Sequence, residues 1–117
     1  MKALFILNDP PYGTERCYNA LRLASTMIKE DATTQVTVFL MADAVNAAKI
    51  GQNTPVGCYS VEHMLKRVLA GRARVLVCGT CMDARGVSDV EIIPGARRST
   101  EDALAAAAIE ADKVLVF

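Results

Sequence analysis

Residues 78–81, Cys-Gly-Thr-Cys, place two thiols three positions apart directly after the apolar run Arg74-Val75-Leu76-Val77. A cysteine that ends a strand and opens a turn or short helix lies where backbone N–H groups lack partners. The helix dipole there favours negative charge. Such a thiol ionises more readily, and the thiolate is the nucleophile. Cys78 is therefore the expected reactive sulfur and Cys81 the thiol able to resolve whatever forms on it. Gly79 leaves room for a reactant to approach the backbone, and the N–H groups of Thr80 to Met82 are expected to hold an anionic sulfur. Arg85 brings a positive charge that can stabilise the same anion, or it is an ordinary solvated arginine. Gly86 closes the segment.

Other residues invite functional readings beside plainer ones. Tyr12, Thr14 and Asp43 follow predicted strands and are candidates for a pocket wall. Their plainer roles are turn residue for Tyr12 and helix cap for Thr14 and Asp43. Cys17 and Cys58 each stand alone and are read as small core residues. His63, the one histidine, lies between apolar positions of a predicted helix and is read as a surface or packing residue. One Cys-x-x-Cys pair supplies two zinc ligands and no second pair has matching spacing, so no metal is assigned. The Gly-rich phosphate loops of nucleotide-binding folds are missing, and no cofactor is expected.

The elements that must position these residues follow from hydrophobic periodicity. Ala3–Leu7 is a short continuous apolar run, the mark of a buried parallel strand. Thr14 is expected to cap a helix in which Ala20, Ala24, Met27 and Ile28 recur at helical spacing, with Leu21 and Leu23 widening the buried face. Gln35–Met41 reads as a second strand and Ala42–Ile50 as a short alanine-rich helix closed by Gly51. Ser60 caps an amphipathic helix carrying Val61, Met64, Leu65, Val68 and Leu69. Arg74–Cys78 is the third strand. Val90–Ile93 is read as a fourth, stopped by Pro94-Gly95. Ser99, with Asp102 three residues on, is expected to open a helix through Ile109, and Lys113–Phe117 to close the chain as a strand.

Strands alternating with helices define an α/β class with a parallel sheet and helices on both faces. In such a sheet the carboxyl ends of the strands share one edge, where ligands bind. Asn8–Thr14, Met41–Asp43 and Cys78–Gly86 are expected there together.

Composition narrows the partners. Lys+Arg and Asp+Glu both number 13, so the chain lacks the basic excess of a protein devoted to nucleic acid or an anionic membrane surface. Hydrophobic residues make up 52%, which favours a packed core within one domain spanning 1–117. No apolar run approaches the ~18 residues that cross a membrane, and the short first apolar run does not read as a signal peptide. Four cysteines without an export signal are read as reduced thiols, and the cytoplasm as their compartment.

Three segments resemble the DsrE/DsrF-like family of sulfur-relay proteins. They are Pro11-Tyr12-Gly13-Thr14 after the first strand, Cys78 followed by Ala84-Arg85-Gly86, and the ending Asp112-Lys113-Val114-Leu115-Val116-Phe117. Their order and spacing bracket nearly the whole chain. The resemblance implies a three-layer α/β/α domain with a mostly parallel five-stranded sheet, assembling as trimers or hexamers; a homotrimer or homohexamer is the default, because closed symmetric assemblies dominate. It implies that Cys78 carries sulfur as a persulfide, exchanged with sulfur-donor and sulfur-acceptor proteins or small thiols. Cys81 departs from the relay branch, which has a small apolar residue there. Two alternatives stay open beside the carrier: a Cys-x-x-Cys thiol–disulfide oxidoreductase on the same fold, and a non-catalytic assembly or ligand-binding subunit.

Overall fold

A computed structural model describes residues 1–117. Five strands, β1 (Lys2–Leu7), β2 (Gln35–Leu40), β3 (Arg74–Cys78), β4 (Ala96–Ser99) and β5 (Lys113–Val116), form one sheet in the order β4-β3-β2-β1-β5. Every neighbouring pair is parallel. The helices are α1 (Arg16–Glu30), α2 (Val61–Ala70), α3 (Gly79–Ala84) and α4 (Glu101–Glu110). From β1 to β4 the chain steps outward in one direction, and from β4 to β5 it returns across the sheet. Right-handed crossovers therefore put α1, α2 and α3 on one face and α4 on the other. The expected architecture is the observed one.

The core explains the register. Phe5, Val38 and Val75 lie side by side across β1, β2 and β3, as do Leu7, Leu40 and Val77, and all six are buried. Helix α1 packs through Cys17, Ala20, Leu21 and Ala24, a spacing that keeps one stripe inward. Leu23, expected on that stripe, falls off it and is exposed. Helix α2 starts where predicted, with the Ser60 hydroxyl accepting from the His63 N–H. Buried Glu62 accepts from the N–H groups of Gly51 and Gln52 and pairs with Lys66, fastening the preceding loop.

Four local expectations are corrected. Thr14 is not the cap of α1, which begins at Arg16 with Glu15 at the cap position; Thr14 instead accepts weakly from the Arg16 N–H at 3.4 Å. The alanine-rich segment after β2 winds as a 3₁₀ helix over Ala42–Ala48. Residues 90–93 are not the fourth strand. Ser88 and Glu91 close a capping box that bends Asp89–Glu91 into a 3₁₀ turn, and only Ile92 bridges, to Lys49. The fourth strand is Ala96–Ser99, an edge strand whose two arginines suit a half-exposed position. Ser99 thus ends β4, and Thr100 caps α4 by accepting from the Ala103 N–H.

Candidate functional site

The carboxyl end of β3 and the first turn of α3 carry the two thiols. Cys78 occupies the cap position of α3, and Gly79, Thr80 and Cys81 form its opening turn. This folding is local in origin. The apolar strand must end once it leaves the core, and its last residue turns into a helix whose first N–H groups have no partner upstream.

Cys78 is buried, with 4% of its surface exposed. Burial pushes its thiol upward, and four hydrogen bonds more than reverse that push. The Thr80 hydroxyl, the Cys81 thiol and the N–H groups of Cys81 and Thr80 hold the Cys78 thiol below its ordinary value. The Thr80 oxygen lies 3.3 Å from the Cys78 sulfur. Cys81 shifts the other way: burial and the hydrogen bond it gives to Cys78 raise it, against the Ala42 N–H and the Arg85 charge. The two thiols thus shift in opposite directions, Cys78 ionising more readily than an ordinary thiol and Cys81 less readily.

The start of the 3₁₀ helix that follows β2 supplies the support for Cys81. The Ala42 N–H donates to the Cys81 sulfur at 3.2 Å. Ala42 has a φ of 50°, a left-handed conformation costly for a residue with a Cβ. Beside it, Arg85 donates to Asp43 at 2.8 Å and to the Cys81 carbonyl at 3.2 Å. Arg85 therefore serves Cys81 rather than Cys78, and Asp43 anchors Arg85 rather than lining a pocket alone.

On its other side Cys78 borders a cavity of about 360 Å³, with Thr80, Arg98, Ser99, Thr100 and Glu101 in its wall. Arg98 was not singled out by the sequence, because reading residues 90–93 as the strand left it in a loop. Gly79 has a different neighbour from the one expected. A Cβ there would meet Arg98 Nη1 at 2.7 Å, so the glycine admits this guanidinium rather than a passing reactant.

The structure thus gathers Cys78, Gly79, Thr80, Cys81, Asp43 and Arg85. Tyr12 and Thr14 serve elsewhere. The Tyr12 hydroxyl donates to Gln52 at 2.6 Å and accepts from the Val61 N–H at 3.1 Å, while its ring stacks on Tyr59. Thr14 donates to Asp9 at 3.4 Å. Tyr12 borders a separate cavity of about 510 Å³ with Cys58 and Tyr59. Cys58, expected in the core, is exposed; His63 is exposed too. Cys17 is buried as expected, and burial followed by the Asp9 charge pushes its thiol up to about 12.

The molecule is a parallel α/β fold with two thiols at the carboxyl edge of its sheet. A family model, DsrE/DsrF-like family, matches residues 1–117. The chain belongs to the DsrE/DsrF-like family. It is 38% identical to Protein YchN of Escherichia coli over 116 residues, covering 99% of this chain and 98% of that one. It is equally 38% identical to the uncharacterized protein MJ0989 of Methanocaldococcus jannaschii, over the full length of both. The crystal structure of the E. coli YchN protein superimposes with a TM-score of 0.94 over 99% of this chain and 98% of that one. MTH1491 from Methanobacterium thermoautotrophicum, a protein of unknown function at 10% identity, shares the fold with a TM-score of 0.81, covering 99% of this chain and 98% of that one. Membership of this family suggests a sulfur-relay kind of function.

Proposed function

We propose that this protein accepts sulfane sulfur as a persulfide on Cys78 and passes it to an acceptor thiol. The observation that carries the reading is a buried sulfur at the cap position of α3, 3.3 Å from the Thr80 hydroxyl, whose thiol is held below its ordinary value despite its desolvation. The thiolate attacks the terminal sulfur of a donor persulfide. The donor S–S bond breaks, a new S–S bond forms on Cys78, and the donor leaves as a thiol. An acceptor thiolate then attacks the outer sulfur and releases Cys78 unchanged. Donor and acceptor are proteins or small thiols in a reducing, cytoplasmic setting. The exposed apolar side chains Ile109, Val114 and Val116 on α4 and β5 support assembly with further copies, as a homotrimer or homohexamer.

The Cys81-to-Cys78 hydrogen bond favours a second outcome at the same site. Cys81, once deprotonated, attacks the inner sulfur of the Cys78 persulfide; sulfide leaves carrying two electrons, and a Cys78–Cys81 disulfide remains for a dithiol to reduce. Cyanide-labile sulfur after incubation with a persulfide donor tests both. The carrier reading expects about one labile sulfur per chain on the wild type, none on Cys78→Ser, and a longer-lived adduct on Cys81→Ser. Labile sulfur retained in full on Cys78→Ser would overturn it, and an unchanged lifetime in Cys81→Ser would remove Cys81 from the chemistry.

A further inference from the structure

We propose that Arg98 is a positioning residue for Cys78: its guanidinium pins the Gly79 peptide, and so holds Thr80 with its hydroxyl beside the Cys78 sulfur. The inference rests on Cys78 being the reactive thiol and adds a residue outside the Cys-x-x-Cys segment to its machinery.

Arg98 uses all three of its nitrogens. Nη1 donates to the Gly79 carbonyl at 2.8 Å, Nη2 to Asp83 at 2.6 Å and Nε to Asp89 at 2.9 Å. One planar fork thereby ties the first residue of α3, its fifth residue and the 3₁₀ turn at Asp89 to the edge strand β4. The Gly79 carbonyl belongs to the same peptide unit as the Thr80 N–H. Fixing that carbonyl fixes the backbone of Thr80, whose hydroxyl lies 3.3 Å from the Cys78 sulfur. The glycine completes the fit, since any side chain there would displace the guanidinium.

The charged and titratable groups about the thiol are few. Cys81 and Asp83 come from α3, Arg98 from β4 and Glu101 from α4, with Arg85 and Asp43 behind Cys81. Arg98 is the one cation among those bordering the Cys78 cavity, against Asp83 and Glu101. Removing it frees the Gly79 peptide to rotate and leaves carboxylates uncompensated beside the sulfur. Both changes disfavour the thiolate.

The test is the pH dependence of Cys78 alkylation by iodoacetamide, followed by peptide mapping on the full chain. Arg98→Ala is expected to move the profile to higher pH and to lower the rate at pH 7 about fivefold, with the circular dichroism spectrum unchanged. Arg98→Lys, which keeps a charge but not the three-way fork, is expected to resemble Arg98→Ala. Arg98→Gln, which removes the charge and breaks the three-way fork, is expected to shift the profile the same way. Wild-type profiles in both Arg98→Lys and Arg98→Gln would overturn the proposal even if Arg98→Ala did not fold. A wild-type Cys78 that alkylates like an ordinary thiol would instead overturn the reading of Cys78 as the reactive sulfur, which keeps the two failures apart.

Discussion

Two buried sulfurs in this molecule have opposite fates. Cys17 begins α1 with no exposed surface, and Cys78 ends β3 with 4%. Burial raises both thiols, so burial alone cannot explain why Cys17 ends above the ordinary thiol value and Cys78 below it. The difference lies in what each sulfur meets. Cys17 donates a hydrogen bond to the Asp9 carbonyl at 3.3 Å, and burial, followed by the Asp9 charge, pushes its thiol up to about 12. Cys78 lies 3.3 Å from the Thr80 hydroxyl, and hydrogen bonding from Thr80 and Cys81 lowers its thiol below the ordinary value. A strand that turns directly into a helix supplies those donors; a sulfur one residue inside an existing helix does not meet them.

The comparison can be broken most severely at Cys78 itself. Cys78→Ser is expected to abolish sulfur loading while leaving the fold intact, read by labile sulfur and circular dichroism. Thr80→Val removes one donor and keeps the shape; a hydrogen bond to an ion contributes about 1 kcal/mol or more, so Cys78 alkylation at pH 7 should fall roughly fivefold. Unchanged alkylation would mean that the backbone donors suffice.

A third prediction concerns the two sulfurs in opposite senses. An unfolded thiol ionises near 9.0 whereas folded Cys17 waits until about 12. The folded state therefore holds more protons across that interval, and stability falls as pH rises through it; below it the contribution is complete. Cys17→Ala should flatten this alkaline decline in denaturant midpoints, and an equally steep decline would contradict the assignment. The lowered Cys78 works the other way, favouring the folded state as pH rises from its folded value to the ordinary thiol value. The smallest effect is expected at Ala42. Relieving its left-handed backbone with Ala42→Gly should stabilise the fold by up to about 1 kcal/mol and leave sulfur loading intact, since the N–H to Cys81 stays.

Much of this was legible in the sequence. The apolar runs of β1, β2 and β3 and the caps around α2 place themselves, because burial and local hydrogen bonding agree there. Cys78 and Cys81 stood out for the same reason: their spacing coincides with a strand end. Arg98 did not, for a physical cause. Residues 90–93 look like a strand by composition, yet a capping box bends them away, while the real β4 is a polar edge whose arginines resemble loop. Ala42 gave no signal either, since its strain depends on how the 3₁₀ turn meets Cys81. Tyr12 and Thr14 were placed at the right edge of the sheet, but the Tyr12–Gln52–Val61 hydrogen bonds that draw Tyr12 elsewhere join residues far apart in sequence.

The most direct measurement is intact-protein mass spectrometry after incubation with a persulfide donor, then alkylation and peptide mapping of all four cysteines. The account predicts a reducible gain of ~32 Da, one sulfur atom, confined to the peptide containing Cys78. A gain on Cys17 or Cys58, or no gain with neither Cys78 nor Cys81 changed, would contradict it.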